Sequence, residues 1–258
     1  DLEFDAFIGA FELPNFTYAE SLSNAVRRNR TERVFTANEA PPSVSIFLHH
    51  EMAQTPVYPS KLFFFCEHAQ MTGGATPLCR SDVLLAELTK ARPDFVAACE
   101  QLGVRYSNTM PLEDDLASGQ GRSWRSTLSV ADKAAAEEKL TGLGYSWQWQ
   151  DDQSLRVTTP CLPAVRTLDD GREVFFNQLI AAFRGWKDAR NSAEKSICFG
   201  DGSVIDPADM AVAIALADEL SFDTPWQAGD VALVDNYLVM HGRRPFAGER
   251  RILASLVG

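Results

Sequence analysis

The stretch FLHHEMAQTP, residues 47–56, places His49 and His50 directly before Glu51 in a chain with only four histidines. An imidazole and a carboxylate packed that closely can ligate one metal ion if both reach the same point. In a strand, side chains at i and i+2 share a face, so His49 and Glu51 project together while His50 faces away. On a helix the same pair would diverge by roughly 200°. The β-branched and aromatic neighbours Ile46 and Phe47 favour the strand.

Two ligands hold a redox metal poorly, so a third is expected among His68 and His241. His68 follows Glu67 at the end of an expected strand, where an exposed surface histidine is the plain reading. His241 ends the apolar run YLVM at a strand mouth and is followed by the basic loop GRRPFAGERR. Two histidines and one carboxylate with open coordination positions make the facial triad of non-haem Fe(II) oxygenases. Alone, an H-x-E spacing is weak, because chance matches are common.

Together, FLHHEMAQTP, GGATPLCRSD, FFNQL, VDNYLVMHG and RRILASL resemble the taurine dioxygenase-like (TauD/TfdA) family of Fe(II)- and 2-oxoglutarate-dependent oxygenases, near its clavaminate synthase-like members. The likeness runs in order from about residue 40 to the C-terminus. It implies iron held by His49, Glu51 and His241, with O2 as co-reactant. It also implies 2-oxoglutarate held by Arg251 and Thr76. Arg250 is the neighbour that could take the place of Arg251, but strand alternation sends the two to opposite faces, and Arg251 is the expected one.

The resemblance carries an expectation about the reaction. Halogenating relatives lack the carboxylate, so Glu51 points to hydroxylation, or to desaturation or another oxidation on the same site. Sulfonate-using relatives place a second arginine four residues beyond the cosubstrate arginine, where this chain has Ser255. A sulfonate substrate held that way is therefore not expected. Asn177, Arg122 and Arg125 are the polar candidates for contact with substrate, beside Ser255. The implied substrate is a small molecule, an amino acid or amino-acid-derived intermediate of natural-product synthesis, free or carried on a carrier protein. A zinc hydrolase could use the same three ligands but has no need of Arg251 and Thr76. A binding protein that kept the fold without the metal would show loss of a ligand, and none is lost.

The elements that must position these groups can be read around them. KLFFFCEH, YSWQWQ, SLRVTTPCLPAVR and the C-terminal GDVALVDNYLVMHGRRPFAGERRILASLVG read as strands, with turn signals at TPVYPS, Asp151-Asp152 and Asp170-Gly171. Helices are expected from Ser81 as cap, from Pro93 to Gly103, over 129–142 with Ser129 and Asp132 at capping-box spacing, and from Asp206-Pro207 onward. RRNRTER, residues 27–33, reads as a solvated surface segment. The expected fold is mainly β with α inserts, a double-stranded β-helix or jelly roll of cupin type with the metal at its open end. It forms one domain over 1–258, with helical inserts at roughly 81–145 and 206–220.

Composition narrows the partners. The 258 residues are 45% hydrophobic, enough for a full core. A net charge of −11 disfavours nucleic acid and anionic membranes. No apolar run approaches the roughly 20 residues of a membrane helix. Five cysteines without a C-x-x-C pair point to a reducing, cytoplasmic setting. The chain begins at Asp1 rather than Met, which leaves a removed leader open.

Overall fold

The computed structural model describes residues 1–258 except 18–21, 24–26, 116–117, 119–120, 187–189 and 193–195. Helix α1 (Leu2–Gly9) is followed by the short strands β1 (Asn15–Phe16) and β2 (Phe35–Thr36). Then come β3 (Ile46–His49), the long β4 (Lys61–Gly73) and β5 (Thr76–Arg80). Helices α2 (Ser81–Ala91) and α3 (Pro93–Leu102) lead to β6 (Val104–Met110), α4 (Trp124–Leu128) and α5 (Lys133–Gly142). Strands β7 (Ser146–Trp149), β8 (Leu155–Thr158), β9 (Arg166–Thr167) and β10 (Glu173–Val174) precede α6 (Leu179–Gly185) and β11 (Ile197–Phe199). Helix α7 (Pro207–Leu220), β12 (Phe222–Thr224), β13 (Val231–Asp235), β14 (Val239–Arg243) and β15 (Phe246–Val257) complete the chain.

Two antiparallel sheets form a double-stranded β-helix. One runs β1-β15-β4-β13, with β2 also on β15; the other runs β12-β5-β14-β3. Alternation along β15 divides its side chains. Leu253 and Val257 pack under α1 with Phe4, Ile8 and Phe63, whereas Arg250, Ile252 and Ala254 line a cavity between the sheets. Burying each large apolar side chain of that α1 contact stabilises by about 1.5–3 kcal/mol, which fastens the outer helix to the barrel.

Residues between β5 and β12 leave the barrel. Strands β11-β6-β8-β7 form a sheet of their own, and β9 pairs with β10. The excursion is therefore continuous, where two separate inserts at 81–145 and 206–220 were expected. The strands near 146–199 look like barrel strands by alternation, but they pair among themselves and with β6. Its core joins α2, α3, α6 and α7 around Leu84, Leu88, Phe95, Phe175 and Met210.

Several local expectations change. Ser81 is the first residue of α2 rather than its cap, and its hydroxyl donates to Leu238 O instead. Ser129 is the left-handed C-cap of α4, so Asp132 alone caps α5, accepting from Ala135 N at 2.9 Å. Asp206 caps α7 as its Asp-Pro signal predicts. Among the described residues, no helix is long and apolar enough to cross a membrane.

Candidate active site

His49 and His241 face each other across adjacent strands. They are paired in register between β3 and β14, with ring centroids 4.3 Å apart. The approach of the two strands requires Gly242, where an added Cβ would lie 2.5 Å from Ile46 O.

Glu51 completes the cluster, but not from a strand. β3 ends at His49, and residues 51–54 turn, with Met52 at φ 60°. Asn236 stands in for the missing strand neighbour. Its side chain accepts from Glu51 N at 2.7 Å and donates to Glu51 O at 3.0 Å and Pro59 O at 2.8 Å. With that brace, Glu51 Oε2 lies 3.8 Å from His49 Nε2 and 3.6 Å from His241 Nε2. One donor atom from each of the three residues lies within 4.8 Å of the others.

Hydrogen bonding prepares the nitrogens. His49 Nδ1 donates to Phe47 O at 2.8 Å, which leaves a lone pair on Nε2, the atom turned toward Glu51. Burial, followed by repulsion from His49, lowers the His241 pKa to about 4, against a smaller upward pull from Glu51. Burial pushes the Glu51 carboxyl up, but Arg27, His241 and His49 together hold it well below its ordinary range. His241 is thus neutral and Glu51 ionised at neutral pH, the states a divalent metal needs. Two imidazoles and one carboxylate, with no second carboxylate among the described residues of the cavity wall, fit Fe(II) with open positions.

His50 has a different place. It is fully buried on the other side, donating from Nδ1 to Asn236 O and lying against Phe176 at 4.7 Å. Burial lowers its pKa to about 3, outweighing the backbone bond to Asn236.

The cavity around the triad has a volume of about 140 Å³. Among the described residues, three guanidiniums, Arg27, Arg243 and Arg250, share its wall with one carboxylate, Glu51. Arg27 was expected at the surface as the start of RRNRTER. Its side chain is 7% exposed and pairs with Glu51 Oε1 at 2.9 Å, while Arg28 is 75% exposed. Arg243 is spent on four backbone carbonyls of the 38–44 segment.

Arg251 does not reach this cavity. Its side chain is 43% exposed and bound to Glu67 at 3.2 Å and Glu249 at 3.0 Å. The two arginines do take opposite faces, but Arg250 is the inward one. Its Nε donates to Gly74 O at 2.9 Å, and no carboxylate pairs with it among the described residues. Gly74, at φ 72°, makes room: a Cβ there would come within 3.0 Å of Arg250 Cδ. Burial and the neighbouring Arg243 lower the Arg250 pKa to about 10, which still leaves it cationic at neutral pH. Thr76 lines the same cavity, its Oγ1 accepting from Trp226 Nε1 at 2.9 Å. That bond occupies an oxygen lone pair and leaves the hydroxyl hydrogen free to donate.

The other polar candidates lie outside this cavity. Asn177 donates to Ala164 O and accepts from Leu179 N. Arg122 is buried against Ser23 O, Ser126 O and Ser126 Oγ. Arg125 stacks on Trp124 and pairs with Glu113 at the surface. Ser255 is buried on the outward face of β15, and the residue four beyond Arg250 is Ala254, which does line the cavity. Gln178, one residue past the chosen asparagine, lines the cavity and holds His50 O at 2.9 Å.

Sequence comparison finds relatives for this arrangement. Residues 2–256 match the profile of the taurine catabolism dioxygenase TauD, TfdA family. A clavaminate synthase-like protein of Arabidopsis thaliana is 40% identical over 256 residues, covering 98% of this chain and 77% of its own. The dapdiamide synthesis protein DdaC of Enterobacter agglomerans is 27% identical over 274 residues, 100% of this chain and 78% of its own. Among solved structures, a Burkholderia xenovorans protein provisionally described as an alpha-ketoglutarate-dependent taurine dioxygenase shares the fold at a TM-score of 0.52 and 12% identity. That superposition covers 99% of this chain and 74% of the other.

Proposed function

The chain belongs to the taurine catabolism dioxygenase TauD, TfdA family and is an Fe(II)- and 2-oxoglutarate-dependent dioxygenase, and on that premise we propose which residues run the reaction and on what. His49, Glu51 and His241 hold the iron, and Arg250 with Thr76 holds the far carboxylate of 2-oxoglutarate. When bound, the metal and cosubstrate supply the oxidising chemistry, turning 2-oxoglutarate and O2 into succinate, carbon dioxide and an oxidised substrate.

The protein's own groups bind, orient and exclude water. Neutral imidazoles and the ionised Glu51 present lone pairs, while Arg27 on Oε1 turns Oε2 toward the two histidines. Arg250 offers a planar cationic fork suited to a carboxylate, and Thr76, fixed by Trp226, adds one neutral donor. Phe64, Ile252 and Ala254 keep the intervening wall apolar. The observation that carries this reading is the convergence of three donors, a buried arginine with no carboxylate partner among the described residues, and an oriented threonine on one cavity.

We assign hydroxylation of a C–H bond in an amino acid or amino-acid-derived intermediate, free or carrier-bound. Glu51 supports hydroxylation over halogenation. Ala254, with no cation four residues past Arg250, argues against a sulfonate. The names of the relatives support small-molecule tailoring. The test is anaerobic: Fe(II) and 2-oxoglutarate are added to the apoprotein, and the weak visible charge-transfer band of the chelate is sought. A band that weakens in Arg250→Ala is expected. Its absence from folded wild-type protein would send the site to zinc or to a binding role.

A further inference from the structure

A second chamber adjoins the triad cavity. The two share Gln54 and Trp186 as common walls, and the second is lined by apolar side chains including Leu140, Tyr145 and Val157. Among the described residues, no charged side chain lines it. Asn108 projects into it from β6, on the same face as Tyr106 and Met110. Asn108 is 7% exposed, yet among the described residues neither its amide nitrogen nor its carbonyl oxygen has a hydrogen-bond partner; Gln54 Oε1, in the shared wall, also lacks one.

A buried carboxamide with both ends unpaired is costly, and such groups call for an explanation outside ordinary packing. The chemistry of the chamber limits what could satisfy it. A carboxylate would answer the donor and set its charge against the carbonyl; an ammonium would answer only the carbonyl. Either ion would also be stripped of water among apolar walls with no counter-charge. A neutral group carrying one donor and one acceptor in a plane answers both ends at once, and a carboxamide does so with two parallel hydrogen bonds.

We propose that Asn108 is a specificity-determining residue that binds a carboxamide-type group on the end of the substrate remote from the oxidised carbon. This rests on the triad cavity being the site of oxidation. The substrate is then a molecule whose reacting C–H lies in the first cavity, and whose short apolar chain passes Gln54 and Trp186 to end in a neutral amide.

The probe is butyramide, with 2-pentanone and butyrate as near-isosteres that lack, respectively, the donor and the neutrality. The readout is the side-chain amide pair of Asn108 in the 1H–15N spectrum, identified by its loss in Asn108→Asp. Butyramide is expected to move that pair saturably and at least tenfold more tightly than either isostere. Asn108→Leu is expected to lose this preference and to melt at a higher temperature, because two orphaned polar atoms are gone. Equal shifts for all three probes, no shift, or a lower melting temperature in Asn108→Leu would overturn the proposal. The charge-transfer band measured on the same preparation separates the two readings: a band without amide preference sinks only the role of Asn108, whereas no band sinks the oxygenase site.

Discussion

The side-chain amide of Asn236 brackets the backbone of Glu51, accepting from its N–H at 2.7 Å and donating to its carbonyl at 3.0 Å. A strand neighbour would make these same two bonds. Because β3 has ended at His49, the carboxylate is held in register by a side chain from the turn that joins β13 to β14, the strand beside β3.

Replacing Asn236 by alanine therefore removes three bonds at once, from the Glu51 N–H and to the Glu51 and Pro59 carbonyls. At about 1–3 kcal/mol for each buried orphan, Asn236→Ala should destabilise by at least about 3 kcal/mol in urea denaturation. Metal affinity should fall by about 10–100-fold, as for other groups that orient ligands. Wild-type metal affinity in a folded variant would show that Glu51 needs no such brace.

Arg250 and Arg251 should separate cleanly in kinetics. Arg250→Ala removes a buried, charge-assisted contact, and the KM for 2-oxoglutarate should rise by at least about 30-fold, corresponding to about 2 kcal/mol. Arg251→Ala breaks half-exposed pairs worth under about 1 kcal/mol to stability and should leave that KM within about twofold. The opposite pattern in a 2-oxoglutarate titration would restore Arg251.

Much of the site was legible because few residues were eligible. With four histidines and one H-x-E, the three residues that converge, His49, Glu51 and His241, could be named before the fold was known. The arginine failed for a one-residue reason. Alternation shows that Arg250 and Arg251 point opposite ways, but only the barrel's inner face, marked by Ile252 and Ala254, says which is inward. Arg27 was hidden by composition: in RRNRTER every residue looks solvated, and its partner lies 24 positions away. Asn177 and Gln178 show the same limit, since adjacent polar residues in FFNQL divide between capping a helix start and facing the cavity. The 146–199 strands alternate as barrel strands do, and pairing partners are not written in local pattern.

Trp226 and Thr76 should behave as one unit. Trp226→Phe keeps the aromatic bulk and removes only the indole donor, so Thr76 Oγ1 loses the bond that orients it. A KM increase for 2-oxoglutarate of about 3–10-fold is expected, equivalent to about 0.5–1.5 kcal/mol for one neutral hydrogen bond. In Thr76→Val the further change Trp226→Phe should add little, the signature of coupling in a double-mutant cycle. Full additivity would mean that the two act separately.

Acid should destabilise the apoprotein earlier than its carboxylates alone would allow. His50 and His241 have folded-state pKa values lowered to about 3 and about 4 from 6.5, chiefly by burial. Below pH 6.5 the unfolded chain binds protons at these positions while the folded chain does not, so stability falls as pH falls, down to the folded values. Each histidine adds a slope of up to about 1.4 kcal/mol per pH unit. Glu51 contributes in the same direction, but only below its ordinary value of 4.5, so the interval from 6.5 to 4.5 is free of it. His50→Gln keeps a neutral donor for Asn236 O and removes the titration, and about half the slope assigned to the two histidines should disappear in that interval. Urea denaturation at half-unit pH steps reads it directly. A variant whose slope equals that of the wild type would mean that His50 opens to solvent and takes its proton without unfolding.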